Sequence, residues 1–314
     1  MGQITTVTLN AAIDKTYFLE RFPLGKVTRA EQVISSPGGK GINVARVIRQ
    51  LGSQAMATGF VGGTNGEYIV RELSRQGIPN DFVFVDGESR LCLNMIDLTE
   101  KTATELLEPG PVIREEQIGQ LRQKVAELAE QSSIVAFSGS LPKGVHDSIY
   151  AELIEIVRSK GAKPFLDTSG SALAEGVKAK PFLIKPNEYE IEKLIGGKLE
   201  REEDLYDAMR QMMAGGIACV VVTLGAKGAI AGFDGRLIRI RAPKIDAVNP
   251  VGSGDSFVAG AAVAIAAGRP IEEALRLACA CGTANALNRG AGEVRREDVD
   301  RLREQVIVEP IRNV

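Results

Sequence analysis

Asn249-Pro250-Val251-Gly252-Ser253-Gly254-Asp255-Ser256 stands directly before an apolar run, Phe257 to Ala267. The run reads as a buried helix and is too short to span a bilayer. Gly252, Ser253 and Gly254 leave consecutive backbone N–H groups unobstructed, and a helix N-terminus adds partial positive charge. Together they predict an anion hole suited to a phosphoryl group in transfer. A carboxylate is a poor anion ligand there, but it makes sense as a base that takes a proton from an attacking hydroxyl. The plain alternative is that Asp255 only caps the helix, because Asp is a favoured N-cap. The motif by itself leaves the two readings level.

A second glycine cluster, Pro37-Gly38-Gly39-Lys40-Gly41-Ile42-Asn43, also precedes a helix, with Val44, Val47, Ile48 and Leu51 at helical spacing and Gly52 as its stop. Glycines let a ligand approach the backbone, Lys40 offers charge, and Asn43 offers donor and acceptor. Alone, a plain glycine turn explains it as well.

Around these clusters strand and helix alternate. Ile4 to Asn10, Ala55 to Val61, Ile134 to Ser138, Pro164 to Asp167, Phe182 to Lys185 and Cys219 to Leu224 read as strands. Asn65 to Gln76, the segment marked by Ile118, Leu121, Val125 and Leu128, and Ser148 to Ser159 read as helices. The continuous apolar run at Cys219 predicts a strand buried on both faces. The expectation is an α/β fold with a mainly parallel sheet and helices on both faces. Tyr17 to Ile34 and Leu91 to Leu107 are strand-like with no helix inside. They are expected to leave the main sheet and pair as a small second sheet.

Composition narrows the chemistry. The 314 residues carry 38 Lys plus Arg against 40 Asp plus Glu, a net charge of −2, which disfavours a nucleic-acid binder. Four cysteines without a C-x-x-C pair and a single histidine, His146, argue against a zinc site. Free thiols fit a reducing cytoplasm. Met1 to Val7 has no basic region leading into an apolar segment, so neither signal peptide nor membrane association is expected. No G-x-x-x-x-G-K-[ST] occurs, nor a G-x-G-x-x-G after the first strand. With histidine so scarce, proton transfer falls to a carboxylate, which adds weight to Asp255.

With both glycine clusters in view the chain resembles the PfkB, ribokinase-like carbohydrate kinases over essentially its whole length. Gly38 to Asn43 is similar to that family's N-terminal signature and Asn249 to Asp255 to its C-terminal one. Lys185-Pro186-Asn187-Glu188-Tyr189-Glu190 resembles its K-P-N-x-x-E segment, and Thr223-Leu224-Gly225-Ala226-Lys227-Gly228 its nucleotide loop. The resemblance implies a three-layer α/β/α core, residues 1–14, 37–88 and 109–314, and a β lid, residues 15–36 and 89–108. In many relatives two lids clasp to form a homodimer. Asp255 would be the base, with the amides of Gly252, Ser253 and Gly254 holding the phosphoryl group. Lys185, Asn187 and Glu190 would face the phosphates of ATP and a hydrated Mg²⁺. Thr223, Gly225, Gly228 and Asn285 would line the nucleotide. Asp14, Gly38, Gly39, Lys40, Asn43 and Ser138 would meet the sugar. Family members also bind K⁺ through carbonyls near Val251 and Ala286 to Gly292.

Arg90 stands where this branch grips a substrate's existing phosphate, and Arg suits bidentate phosphate contact. Arg29 is a further candidate, while Lys26 reads as solvated charge. Three strings, Ser89-Arg90-Leu91-Cys92, Thr104 to Pro111 and Ser138 to Gly144, most resemble the tagatose-6-phosphate kinases. Fructose 1-phosphate and then fructose 6-phosphate are the alternative substrates. The 1-phosphofructokinases more often carry R-I-N-V-K where this chain has Arg90-Leu91-Cys92-Leu93-Asn94, and Ser89 replaces the usual Thr. A ribose or nucleoside kinase would need no arginine at 90. A non-catalytic sensor would have lost the base or the glycines.

Overall fold

The computed structural model describes residues 2–311. Its strands are β1 (Gln3–Thr8), β2 (Ala12–Leu19), β3 (Gln32–Gly38), β4 (Ala55–Gly62), β5 (Val83–Val85), β6 (Arg90–Asp97), β7 (Thr102–Leu107), β8 (Ser132–Ser138), β9 (Lys163–Asp167), β10 (Leu183–Ile184), β11 (Cys219–Thr223), β12 (Ala229–Phe233), β13 (Arg236–Arg241) and β14 (Ile307–Pro310). The helices are α1 (Lys40–Gln50), α2 (Gly63–Arg75), α3 (Glu115–Gln131), α4 (Ile149–Ser159), α5 (Gly170–Gly176), α6 (Glu188–Ile195), α7 (Glu202–Ala214), α8 (Ser253–Ala266), α9 (Ile271–Asn285) and α10 (Arg296–Gln305).

Ten strands form one sheet in the order β14-β13-β12-β11-β10-β9-β8-β1-β4-β5. Neighbours from β11 to β5 pair in parallel, while β12, β13 and β14 add an antiparallel edge. Side chains of a strand alternate between faces, so a sheet covered twice needs apolar residues at every position. On β8, Ile134 and Ala136 join one core while Val135 and Phe137 join the other. On β11, Cys219 and Val221 are divided in the same way from Val220 and Val222. Helices α1, α2, α8, α9 and α10 cover the first face, and α3 to α7 the second. This is the three-layer architecture expected.

The antiparallel edge was not anticipated. Its local signal is Asp234-Gly235, both at positive φ (49° and 70°), the dipeptide of a two-residue hairpin turn between β12 and β13.

The two strand-like stretches do form a second sheet, in the order β3-β2-β6-β7. Each stretch is two strands with an intervening turn, and the central pair, β2 and β6, is parallel. Ala12 pairs with both Gly38 and Arg90, so the root of this sheet gathers three sequence-distant segments beside the carboxyl end of β1. No helix among the described residues is long and apolar enough to cross a membrane.

Candidate active site

The expected residues meet at the carboxyl ends of the parallel strands, where open α/β sheets bind ligands. Ser138 ends β8, Asp167 ends β9, Lys185 follows β10 and Thr223 ends β11. Asn43 arrives from the first turn of α1, and Asp255 from the first turn of α8.

Asp255 does not cap its helix. Gly252 holds the N-cap position at φ 84°, a left-handed conformation open to glycine, and Asp255 lies three residues in without a side-chain capping bond. Its carboxylate is 5% exposed, and Oδ2 accepts from Asn43 Nδ2 at 2.9 Å. Burial pushes its pKa up to about 6. Lys40, the Asn43 hydrogen bond and Lys185 work against that rise, while Asp167 adds to it. A carboxylate with such a pKa would be ionised at neutral pH yet still able to take a proton. The amides of Gly252 and Gly254 make no hydrogen bond among the described residues, whereas the Ser253 N–H closes on the Pro250 carbonyl at 3.1 Å. Of the three amides expected in the anion hole, Ser253's is therefore already engaged.

Asp167 organises the cations. Lys185 Nζ stands 3.2 Å from its Oδ1 and Lys40 Nζ 3.5 Å, with Asp167 and Lys185 almost fully buried. Burial would raise the Asp167 pKa, but the two lysines together hold it below the usual carboxylate range. The same pairing raises Lys40, so both ends stay charged. A Cβ on Gly254 would lie 3.2 Å from Lys185 Nζ, which brings that ammonium against the anion hole. Asp167 was read only as a strand end. A carboxylate closing a buried strand, followed by Thr168-Ser169-Gly170, is the signal that could have found it.

Two cavities flank this chain of charges. The smaller, about 160 Å³, is lined by Thr8, Asn10, Lys40, Arg90, Ser138 and Ser140 among others. Thr8 Oγ1, Asn10 Oδ1 and Ser138 Oγ are buried there without hydrogen-bond partners. Unpaired buried polar atoms cost free energy, so a cavity that collects them is built for a polar ligand. Asp14 stands on β2 next to Gly38, where a Cβ would come within 2.2 Å of its carboxyl carbon. Desolvation raises the Asp14 pKa against the nearby Arg46 and Arg90. The larger cleft, about 820 Å³, has apolar walls from Ala242, Ile245, Phe257 and Ala286 and a polar mouth at Asn187, Thr223 and Ser253. Gly225, Gly228 and Gly254 also line it. Its shape and lining suit a purine ring with phosphates directed to Gly254.

Four expected residues stand differently. Asn285 is fully buried and its amide is saturated. Nδ2 donates to the Val251 carbonyl at 2.8 Å, while Oδ1 accepts from Gly292 N, Glu293 N and Ser256 Oγ. It braces the loop beneath Gly252 and does not line the nucleotide cleft. Arg29 is exposed on the turn between β2 and β3, with no hydrogen bond or ion pair to the site among the described residues. Asn187 and Glu190 form a reciprocal capping box at the start of α6, at 2.8 and 2.9 Å. One carboxylate oxygen of Glu190 is thus committed to the backbone, and the other remains for a ligand.

No group of three or more His, Cys, Asp or Glu side chains converges among the described residues. The free oxygen of Glu190 fits a magnesium ion carried on nucleotide phosphates, which needs only one or two carboxylates and keeps its waters. The carbonyls of Val251, Arg289 and Ala291 each accept one internal hydrogen bond and retain a second lone pair, whereas the Ala286 carbonyl already accepts from the Val248 and Asn249 amides.

A buried carboxylate at a glycine-led helix start, two lysines on one buried aspartate and a large cleft beside them, all on a doubly covered sheet, suit a phosphotransferase. Residues 7–298 match the pfkB family of carbohydrate kinases, and the chain belongs to that family. A tagatose-6-phosphate kinase of Staphylococcus epidermidis is 35% identical over 308 residues, 97% of this chain and 99% of that one. Phosphofructokinase-2 of Escherichia coli in complex with potassium has a TM-score of 0.92 at 29% identity, over 97% of this chain and 99% of that one. The same enzyme has been seen as an inhibited tetramer and with fructose 6-phosphate. Ribokinase of Arabidopsis thaliana, with ribose and ATP, has a TM-score of 0.78 at 24% identity over 96% of this chain and 99% of that one, a likeness of fold. The expected ribokinase-like fold and the expected class, an ATP-dependent sugar-phosphate kinase, are both borne out.

Proposed function

We propose that the protein transfers the γ-phosphoryl group of ATP to a free primary hydroxyl of a ketohexose phosphate, chiefly tagatose 6-phosphate, giving tagatose 1,6-bisphosphate. The observation that carries this reading is the run Lys40, Asp167, Lys185 from the polar cavity to the cleft, with buried Asp255 against it. Asp255 takes the hydroxyl proton, the new O–P bond forms, and the bond to ADP breaks in line. Lys185 and the free amides of Gly252 and Gly254 receive the charge on the transferring group. Arg90 and Ser138 hold the phosphate already present. Asp14, Gly39 and Asn43 meet the sugar hydroxyls, and Thr223, Gly225 and Gly228 border the nucleotide. Glu190 would hold, through water, a magnesium ion on the ATP phosphates, and that ion would supply further neutralisation of charge.

The second sheet, residues 15–36 and 89–108, acts as a lid that excludes water from the reaction. Its outer face carries Tyr17, Val33, Leu93, Met95 and Leu106, brought to one side by strand register. This apolar face supports a homodimer through the lids. The carbonyls around Val251 and Ala286 to Gly292 support a potassium requirement, as the E. coli relative's complex suggests for its own site. Free thiols and dependence on ATP support a cytoplasmic place of work.

The 35% identity to a tagatose-6-phosphate kinase supports that sugar over its rivals. A coupled assay of ATP turnover with tagatose 6-phosphate, fructose 1-phosphate and fructose 6-phosphate tests it. The expected result is the highest kcat/KM for tagatose 6-phosphate. Equal activity on all three, or a preference for either fructose phosphate, would sink the assignment.

A further inference from the structure

Arg46 is a buried cation without a part in the reading above. It lies on α1 with 7% of its surface exposed. Nη1 donates to Asn43 Oδ1 and to the Ala291 carbonyl, each at 3.0 Å. Nη2 donates to the Pro37 carbonyl at 2.5 Å, and Nε to Gln76 Oε1 at 3.2 Å. Burying a cation is costly unless it is paired and hydrogen-bonded. Desolvation lowers its pKa, while Asp14, Glu293 and Asp255 oppose that change.

A guanidinium only donates, so the Asn43 atom facing it must be the amide oxygen. The amide nitrogen is then turned toward Asp255 Oδ2. Without Arg46 the amide can flip, and its oxygen then confronts a carboxylate. Arginine suits this task because its donors form a rigid planar fork. The same fork reaches Pro37, at the lid's root, and Ala291, in the loop where Gly292 packs against Gly252.

We infer that Arg46 is a positioning residue that fixes the Asn43 amide, so that Asn43 holds the Asp255 carboxylate in the attitude for proton abstraction. The inference rests on the reading of Asp255 as base. The charged and polar groups facing Asp255 are Lys40 and Asn43 from α1, Asp167 from β9 and Lys185 from the end of β10, with Arg46 behind Asn43.

The test is a double-mutant cycle of Arg46→Met and Asn43→Ala, with pH profiles of kcat/KM. Arg46→Met should lower kcat by about 10- to 100-fold, the scale of a small misplacement of reacting groups. KM for ATP should hold. The acid limb should move to higher pH, because a lost cation and an unoriented donor both favour the protonated carboxyl. In the Asn43→Ala background the further loss should be within about 2-fold, because both changes remove one interaction. Multiplying losses, or an acid limb that stays in place, would overturn the inference. If Arg46→Met does not fold, Arg46→Lys goes through the same cycle. It keeps the charge but cannot span Asn43, Ala291 and Pro37, so non-additivity should persist with a smaller pH shift. Asp255→Asn separates the two ideas. Full activity in that variant removes the base itself, whereas an inactive Asp255→Asn with additive Arg46 and Asn43 losses removes only the role of Arg46.

Discussion

Asp255 carries two opposed demands, one catalytic and one of stability. Replacing it with Asn keeps the shape and the acceptor for Asn43 but removes the base. Its kcat should fall by about 10²- to 10⁴-fold, read by the coupled ATP assay. Wild-type kcat/KM should fall as pH drops through about 6, where the free carboxyl takes up its proton. The sign for stability is the reverse. A carboxyl raised from 3.8 to about 6 stabilises the fold below pH 4 and loses that contribution as pH rises through 6. Asp255→Asn should therefore gain on the wild type with rising pH, by on the order of 2–3 kcal/mol at pH 8 relative to pH 4, in chemical denaturation. A gap that does not vary with pH would refute this. The residue types around Asp255 were legible as chemistry: small residues for an anion, a carboxylate for a proton, lysines for phosphate. Asp167 and Arg46 were not, because a carboxylate or guanidinium on an apolar element gains meaning only from what it faces.

The helices that deliver these groups owe their placement to small residues. On α8, Gly260 packs against α9 so closely that a Cβ would come within 2.8 Å of Ala278 Cα and 2.9 Å of Cys281 Sγ. Gly260→Val should push the helices apart and destabilise by about 1–3 kcal/mol, measured by urea unfolding. Because α8 presents Gly254 and Asp255, a loss of kcat in protein that is still folded should accompany it. Unchanged stability would show that the pair can slide without cost. At this scale the continuous apolar runs of β8 and β11 already told that both faces were covered. The hairpin of β12 and β13 was present as Asp234-Gly235 but masked by flanking residues that also suit other contexts. The capping box of α6 shows how one carboxylate can serve a helix and still keep an oxygen free.

For the whole molecule the second sheet, the proposed lid, decides most. Val33, Tyr17, Met95 and Leu106 share one face of a sheet whose outer strand β7 is exposed throughout. If lids clasp, Leu106→Asp should shift the protein to a monomer by light scattering and weaken sugar-phosphate turnover, leaving the melting of the core nearly unchanged. A monomeric wild type would remove the proposal. The sequence by itself determined the doubly covered α/β sheet, the two glycine turns before helices, the departure of two stretches from the main sheet and a carboxylate in the first helical turn after one of those glycines. Each follows from local rules of periodicity, backbone freedom and charge that need no knowledge of neighbours. Tertiary structure alone decided that Asn285 is a brace, that Arg29 stands apart from the cleft, that Lys40 and Lys185 share Asp167, and that Arg46 dictates which way Asn43 faces. Those depend on which atoms the packed elements bring together, and burial then converts the meeting into a fixed orientation and a shifted proton affinity.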